Sequence, residues 1–134
     1  MTSTLMTFAR MSLAALLLGA PAYATTLADD AVVFDSMVQS VVVTEVVGGC
    51  PAISVNQRRM NRLTKKMMKQ ISRSGYSTGQ IMLLRDEAYL ARIAVAADEF
   101  YRANGVVEKN ESALCALGKS EIAGRTPIGK LLQE

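Results

Sequence analysis

The chain has no histidine and no tryptophan, and only 5% of its residues are aromatic. Without histidine it lacks the usual general base, the side chain that changes charge near neutral pH, and the commonest metal ligand. Serine or cysteine nucleophiles activated by histidine are excluded outright. Cysteine is scarce: Cys50 and Cys115 are the two present. No hydrophobic run is long enough or repeated enough for a multi-span membrane protein. What is present argues against disorder as well, since half of the 134 residues are hydrophobic. The length suits one domain. An all-α domain of that size, carrying no cofactor and no metal, is the expectation developed below.

The first residues read as an address. Met1 to Arg10 holds one positive charge, at Arg10. Met11 to Ala20 is apolar, and Pro21-Ala22-Tyr23-Ala24 places small residues where a signal peptidase reads them. The apolar stretch is about half of the ~20 residues a spanning helix needs. The expectation is a signal peptide over 1–24, removed after Ala24, and a mature domain over 25–134. The mature domain has no transmembrane segment and is periplasmic or secreted. Removing Arg10 lowers the net charge from +3 by one.

Export gives the cysteines a meaning. In an oxidising compartment two cysteines in a small domain most simply form one disulfide. Closing so long a loop is worth about 4 kcal/mol in the chain-entropy model. A redox pair would more usually have Cys-x-x-Cys spacing, and a two-cysteine metal site has no histidine to complete it.

Four helices and a terminal turn are legible in the mature part. Over Asp29 to Val47 the valines favour strand, but Val33, Met37, Val38, Val41 and Val42 repeat at helical spacing. Thr26 and Asp29 have capping-box spacing, and Gly48-Gly49 ends the segment. Ser54 and Gln57 predict a second helix from about Val55 to Ser74, closed by Gly75. Ser77 and Gln80 predict a third from about Gly79 to Ala103, apolar nearly all round and therefore central. A fourth spans Ser112 to Gly124 and carries Cys115, so the disulfide would tie it to the turn after the first helix. Thr126-Pro127 opens a last turn to Leu132.

The second helix holds the feature with most functional content. On an ideal wheel Met60, Leu63, Met67, Met68 and Ile71 lie on one side. Arg58, Arg59, Arg62, Lys65, Lys66, Lys69 and Arg73 fill an opposite sector of about 120° with no acid among them. Such a face suits an anionic envelope surface or an acidic protein. Nucleic acid fits the charge but not the compartment. Solvation, with local offset by Asp29, Asp30 and Asp35, is the plainer explanation of the same pattern. Tyr76 is expected to pack over the helix junction, and Tyr89 and Tyr101 in the core.

Several features occur in a distinctive order. A helix ends in Gly-Gly-Cys-Pro. A basic helix closes on Ser74-Gly75-Tyr76-Ser77, and Gln80-Ile81 follows. Then come Tyr101-Arg102-Ala103-Asn104-Gly105-Val106-Val107-Glu108, Cys115, Leu117 to Ala123, and Ile128-Gly129-Lys130-Leu131-Leu132. This order resembles a family of small exported alphaproteobacterial proteins catalogued as a domain of unknown function. The resemblance runs from about Asp30 to Leu132. It implies an exported, helical, disulfide-bonded protein and carries no functional site with it.

Nothing in the sequence assembles an active site. Asp86-Glu87 and Asp98-Glu99 are adjacent acids that point about 100° apart on a helix, and Asp98 is placed to pair with Arg102. Gly118-Lys119-Ser120 lacks the earlier glycine and the strand of a phosphate loop. The expectation is a non-enzymatic binding protein that uses its basic helix. A periplasmic stress chaperone or inhibitor-like interaction protein, which shares this build, is the alternative.

Overall fold

The computed structural model describes residues 26–134, and the expected signal segment, residues 1–24, lies outside them. Helix α1 spans Ala31–Gly49, and Asp30 starts it. The Asp30 carboxylate accepts the backbone N–H groups of Val32 at 3.0 Å and Val33 at 3.2 Å. These are two of the donors a helix start leaves without partners. The Thr26–Asp29 pair, expected to box this helix, instead spans a 3-10 turn just before it: Thr26 Oγ1 donates to Asp29 Oδ2 at 2.6 Å.

The α1 valines fold as helix because α1 is the hub of the molecule. It touches α2, α4 and α5, and of its residues only Ala31, Asp35, Thr44 and Gly48 are exposed. Its hydroxyls need no water. Ser36, Ser40 and Thr44 each donate to the carbonyl four residues back, at 2.6 to 2.8 Å. By length and composition α1 is apolar enough to cross a membrane; here it has the surroundings of a core helix.

A two-residue strand, β1 (Ser54–Val55), precedes α2 (Gln57–Ser74) and pairs antiparallel with β2 (Leu132–Gln133), Ser54 opposite Gln133 and Val55 opposite Leu132. Ser54 is therefore in an extended pair and does not cap α2, as its spacing from Gln57 suggested. Asn56 caps it, its side chain accepting Arg59 N–H at 3.2 Å. The helix closes at Gly75 in the left-handed conformation, φ 65°, as expected.

The expected continuous helix from Gly79 to Ala103 is divided. Ser77 caps a short helix, α3 (Thr78–Met82), through Gln80 N–H at 3.2 Å. A 3-10 turn at Leu83–Arg85 leads to Asp86, which is extended, and α4 runs over Glu87–Ala103. The Asp86 carboxylate accepts Ala88 N–H at 2.9 Å. A capping acid offers the backbone an alternative to continuing the helix, and here it is taken. Nor is this segment central. Ile81, Met82, Leu83, Leu90 and Val95 are exposed. The charges of Glu87, Arg92, Asp98, Glu99 and Arg102 keep α4 at the surface, whereas α1 carries only Asp35 and Glu45.

Asn110 caps α5 (Glu111–Gly124) by accepting Ala113 N–H at 2.9 Å, one residue ahead of the expected start. The Cys50–Cys115 disulfide is formed and joins α5 to the residue after α1. A Cβ on Gly118 would lie 2.4 Å from Ile53 Cδ1 and 2.9 Å from Val46 Cγ1, so this glycine serves helix packing. The chain then turns back on α5. Thr126 Oγ1 accepts Gly129 N–H at 2.9 Å and donates to the buried Glu121 carboxylate, which fixes the expected terminal turn. The result, among the described residues, is an all-α fold of five helices, one more than the sequence suggested because of the break at Asp86.

Candidate functional site

Helix α2 packs through Ile71, which is buried, and Met60, Leu63 and Met67, which are half-buried against the core. Met68, expected on this side, is 52% exposed. It stands about 100° around the helix from Met67, beyond the edge of the contact. All of Arg58, Arg59, Arg62, Lys65, Lys66, Lys69 and Arg73 are exposed. None of them is in an ion pair among the described residues.

None of the acids expected to offset them forms an ion pair with a cation of α2 among the described residues. Asp29 lies 3.8 Å from Arg92. Asp35 lines a separate apolar groove with Phe34 and Val38. Asp30, buried, accepts Gln70 Nε2–H at 2.8 Å and the Tyr76 hydroxyl at 2.7 Å besides its two backbone donors. Burial alone would raise the Asp30 pKa. The hydrogen bonds from Gln70, Tyr76, Val33 and Val32 outweigh it and hold the carboxyl below its ordinary range. The same bond to Asp30, with some desolvation, pushes the Tyr76 phenol up. Tyr76, expected to pack over the junction beside Gly75, also reaches back to the start of α1, and its hydroxyl ties α1 to the end of α2.

Two clefts lie at the N-terminal end of the basic face. One, about 500 Å³, is lined by Gln57, Arg58, Arg59, Arg62 and Gln133. The other, about 490 Å³, brings Arg59 and Asn56 together with Arg125 and Lys130 over Ile122 and Leu132. No acid lines either cleft. Arg125 follows the last residue of α5 and has φ 51°, the one residue other than glycine with positive φ among those described. Lys130 is carried by the terminal 3-10 turn, which docks only because residue 129 is glycine: a Cβ there would sit 1.8 Å from the Glu121 carbonyl oxygen. The sequence reading missed Arg125 and Lys130. Each is an isolated cation in its own segment, and only the return of the C-terminal turn onto α5 and β1 puts them beside Arg59. The one local signal was a cation directly after Gly124, where a helix end favours glycine.

The carboxylate pairs do not converge. Asp86 caps α4, and Asp98 Oδ1 lies 2.9 Å from Lys109 Nζ in place of the expected Arg102. Arg102 Nε instead donates to the Asp98 backbone carbonyl at 3.4 Å. Lys109 also lies 3.1 Å from Glu45 Oε2 and 4.5 Å from the centre of the Tyr101 ring. Its pKa is raised, chiefly by Asp98; burial opposes this, and Glu45 adds to the rise. Tyr101 and Tyr89 are core residues as expected, and burial drives both phenols up; Glu45 adds to the effect at Tyr101. This cluster clamps α1, α4 and the segment before α5. Chemically, the exposed surface is equipped to bind anions.

A family model described as a family of unknown function, DUF5333, matches residues 25–133. The match includes both cysteines, the whole of α2 and all of the residues lining the two clefts. No curated protein and no solved structure matches the chain.

Proposed function

We propose that this chain, which belongs to the DUF5333 family of unknown function, is an exported, non-enzymatic binding protein that engages an anionic partner or envelope surface through α2. In this reading residues 1–24 are a cleaved signal and the mature protein is periplasmic or secreted. The observation that carries it is the set of seven exposed cations on one side of α2, none of them ion-paired among the described residues. A solvated face normally intersperses both signs; this one does not, and it keeps its charge available. The binding is electrostatic, so it weakens as salt shortens the screening length to about 10 Å at 0.1 M.

The test is co-sedimentation of the protein with vesicles of phosphatidylglycerol and of phosphatidylcholine, at low and high salt. Binding to the anionic vesicles alone, released by salt and lost when Lys65, Lys66 and Lys69 become glutamine, is the expected result. Affinity capture from envelope extract at the same two salt levels separates an acidic protein partner from lipid. Indifference to vesicles and extract at low salt would sink the reading.

One observation favours a second reading, a periplasmic stress chaperone or inhibitor-like protein. Ile81, Met82, Leu83 and Leu90 are exposed around the α3–α4 junction, and apolar surface of this kind marks contact sites. That reading expects suppression of client aggregation, reduced by Met82→Ser and Leu83→Ser.

A further inference from the structure

We propose that the cleft formed by Arg59, Asn56, Arg125 and Lys130 is a binding site for a phosphate monoester. The proposal rests on the anionic-partner reading above and narrows it to one place and one chemistry. The four polar side chains come from three elements: the start of α2, the residue after α5 and the terminal turn. They meet around about 490 Å³ with no carboxylate in the lining. Two guanidinium forks and one ammonium supply three positive charges, and a doubly charged terminal phosphate offers three oxygens to receive their N–H groups. The volume exceeds what a bare phosphate fills. Ile122, half-buried in the cleft wall, gives the organic part of an ester an apolar surface to lie against.

Arg125 sharpens the case. At a left-handed helix end glycine is the unstrained residue, yet this position carries a long cation at φ 51°. Its hydrogen bonds to the fold are made by its backbone, whose N–H donates to the Ile122 carbonyl at 3.1 Å; a glycine would make the same bond. The side chain is what the strain retains, and it lines the cleft.

Calorimetric titration with inorganic phosphate and with glucose 6-phosphate tests the site. Vesicles of phosphatidic acid, compared with phosphatidylglycerol at equal surface charge, distinguish a lipid monoester from a soluble one. The expected result is binding of glucose 6-phosphate, weakened about tenfold or more by Arg125→Gly and by Lys130→Gln, as loss of a charge-assisted hydrogen bond implies. Arg85→Gln, which removes an exposed cation outside both the cleft and α2, should leave it unchanged. Arg125→Gly should also raise the melting temperature, so lost binding cannot be put down to lost folding. Preference for phosphatidic acid vesicles, abolished by the same two variants, would support the site with a lipid monoester as the source. If the soluble phosphates do not bind and the vesicles do so without regard to Arg125, the cleft proposal is overturned while the surface reading stands. If soluble phosphates, vesicles and envelope extract all fail to bind at low salt, both fall.

Discussion

Asp30 shows how much one side chain does in this fold. It caps α1, holds Gln70 of α2 and receives the Tyr76 hydroxyl. Because these bonds favour the charged form, its folded pKa lies below the ordinary 3.8. The unfolded chain therefore takes up the proton first as pH falls. The contribution is fully present above pH 3.8 and is lost as pH drops through the lower, folded value. Asp30→Asn should flatten the acid limb of the melting temperature measured from about pH 5 to pH 2, a range that spans the carboxylate titration. Parallel limbs for the two proteins would contradict this. In the sequence Asp30 was legible only as one of three acids that could offset the basic face. Its partners lie 40 and 46 positions away, a distance no local pattern encodes.

At the scale of elements, α2 carries its cations at a cost. Arg58 and Arg62, Arg62 and Lys66, Lys65 and Lys69, and Lys69 and Arg73 are like charges four residues apart. Each such pair destabilises a helix by about 0.2–0.5 kcal/mol. Arg58 and Arg59 also stand at the positive end of the helix dipole, with no acid in the first turn. Lys66→Glu replaces repulsion from Arg62 with attraction and should stabilise the protein by about 0.5 kcal/mol or more in urea denaturation. It should weaken binding to anionic vesicles at the same time. That opposition is what the proposed binding role of this face expects. The amphipathic pattern of α2 was plain from the sequence, because a period of 3.6 separates its faces without reference to anything else. The division of α3 from α4 was not. Asp86 reads equally as a helix residue or as a cap, and its neighbours decide which.

For the whole molecule, the decisive constraint is the disulfide. Cys50 is fully buried and Cys115 lies 65 positions on. In the chain-entropy model a loop of that length contributes about 4 kcal/mol, a large part of what a small domain has in all. The Cys50→Ala, Cys115→Ala double variant should lose stability of that order in guanidinium denaturation. An unchanged midpoint would mean that the packing of α5 on α1 suffices alone. That packing is close because Gly118 lets Val46 and Ile53 approach α5.

The sequence by itself determined the helical class, the disulfide and the basic face of α2. Each follows from residues close together along one element, or from there being only two cysteines to pair. The tertiary structure alone decided three things. It put α1 at the centre in place of the Gly79–Ala103 segment, it divided that segment at Asp86, and it carried Arg125 and Lys130 to Arg59. These depend on which faces find partners across the chain. A one-dimensional pattern specifies which surface a helix must bury, but not the helix it is buried against or the side chains that meet where the C-terminal turn comes back.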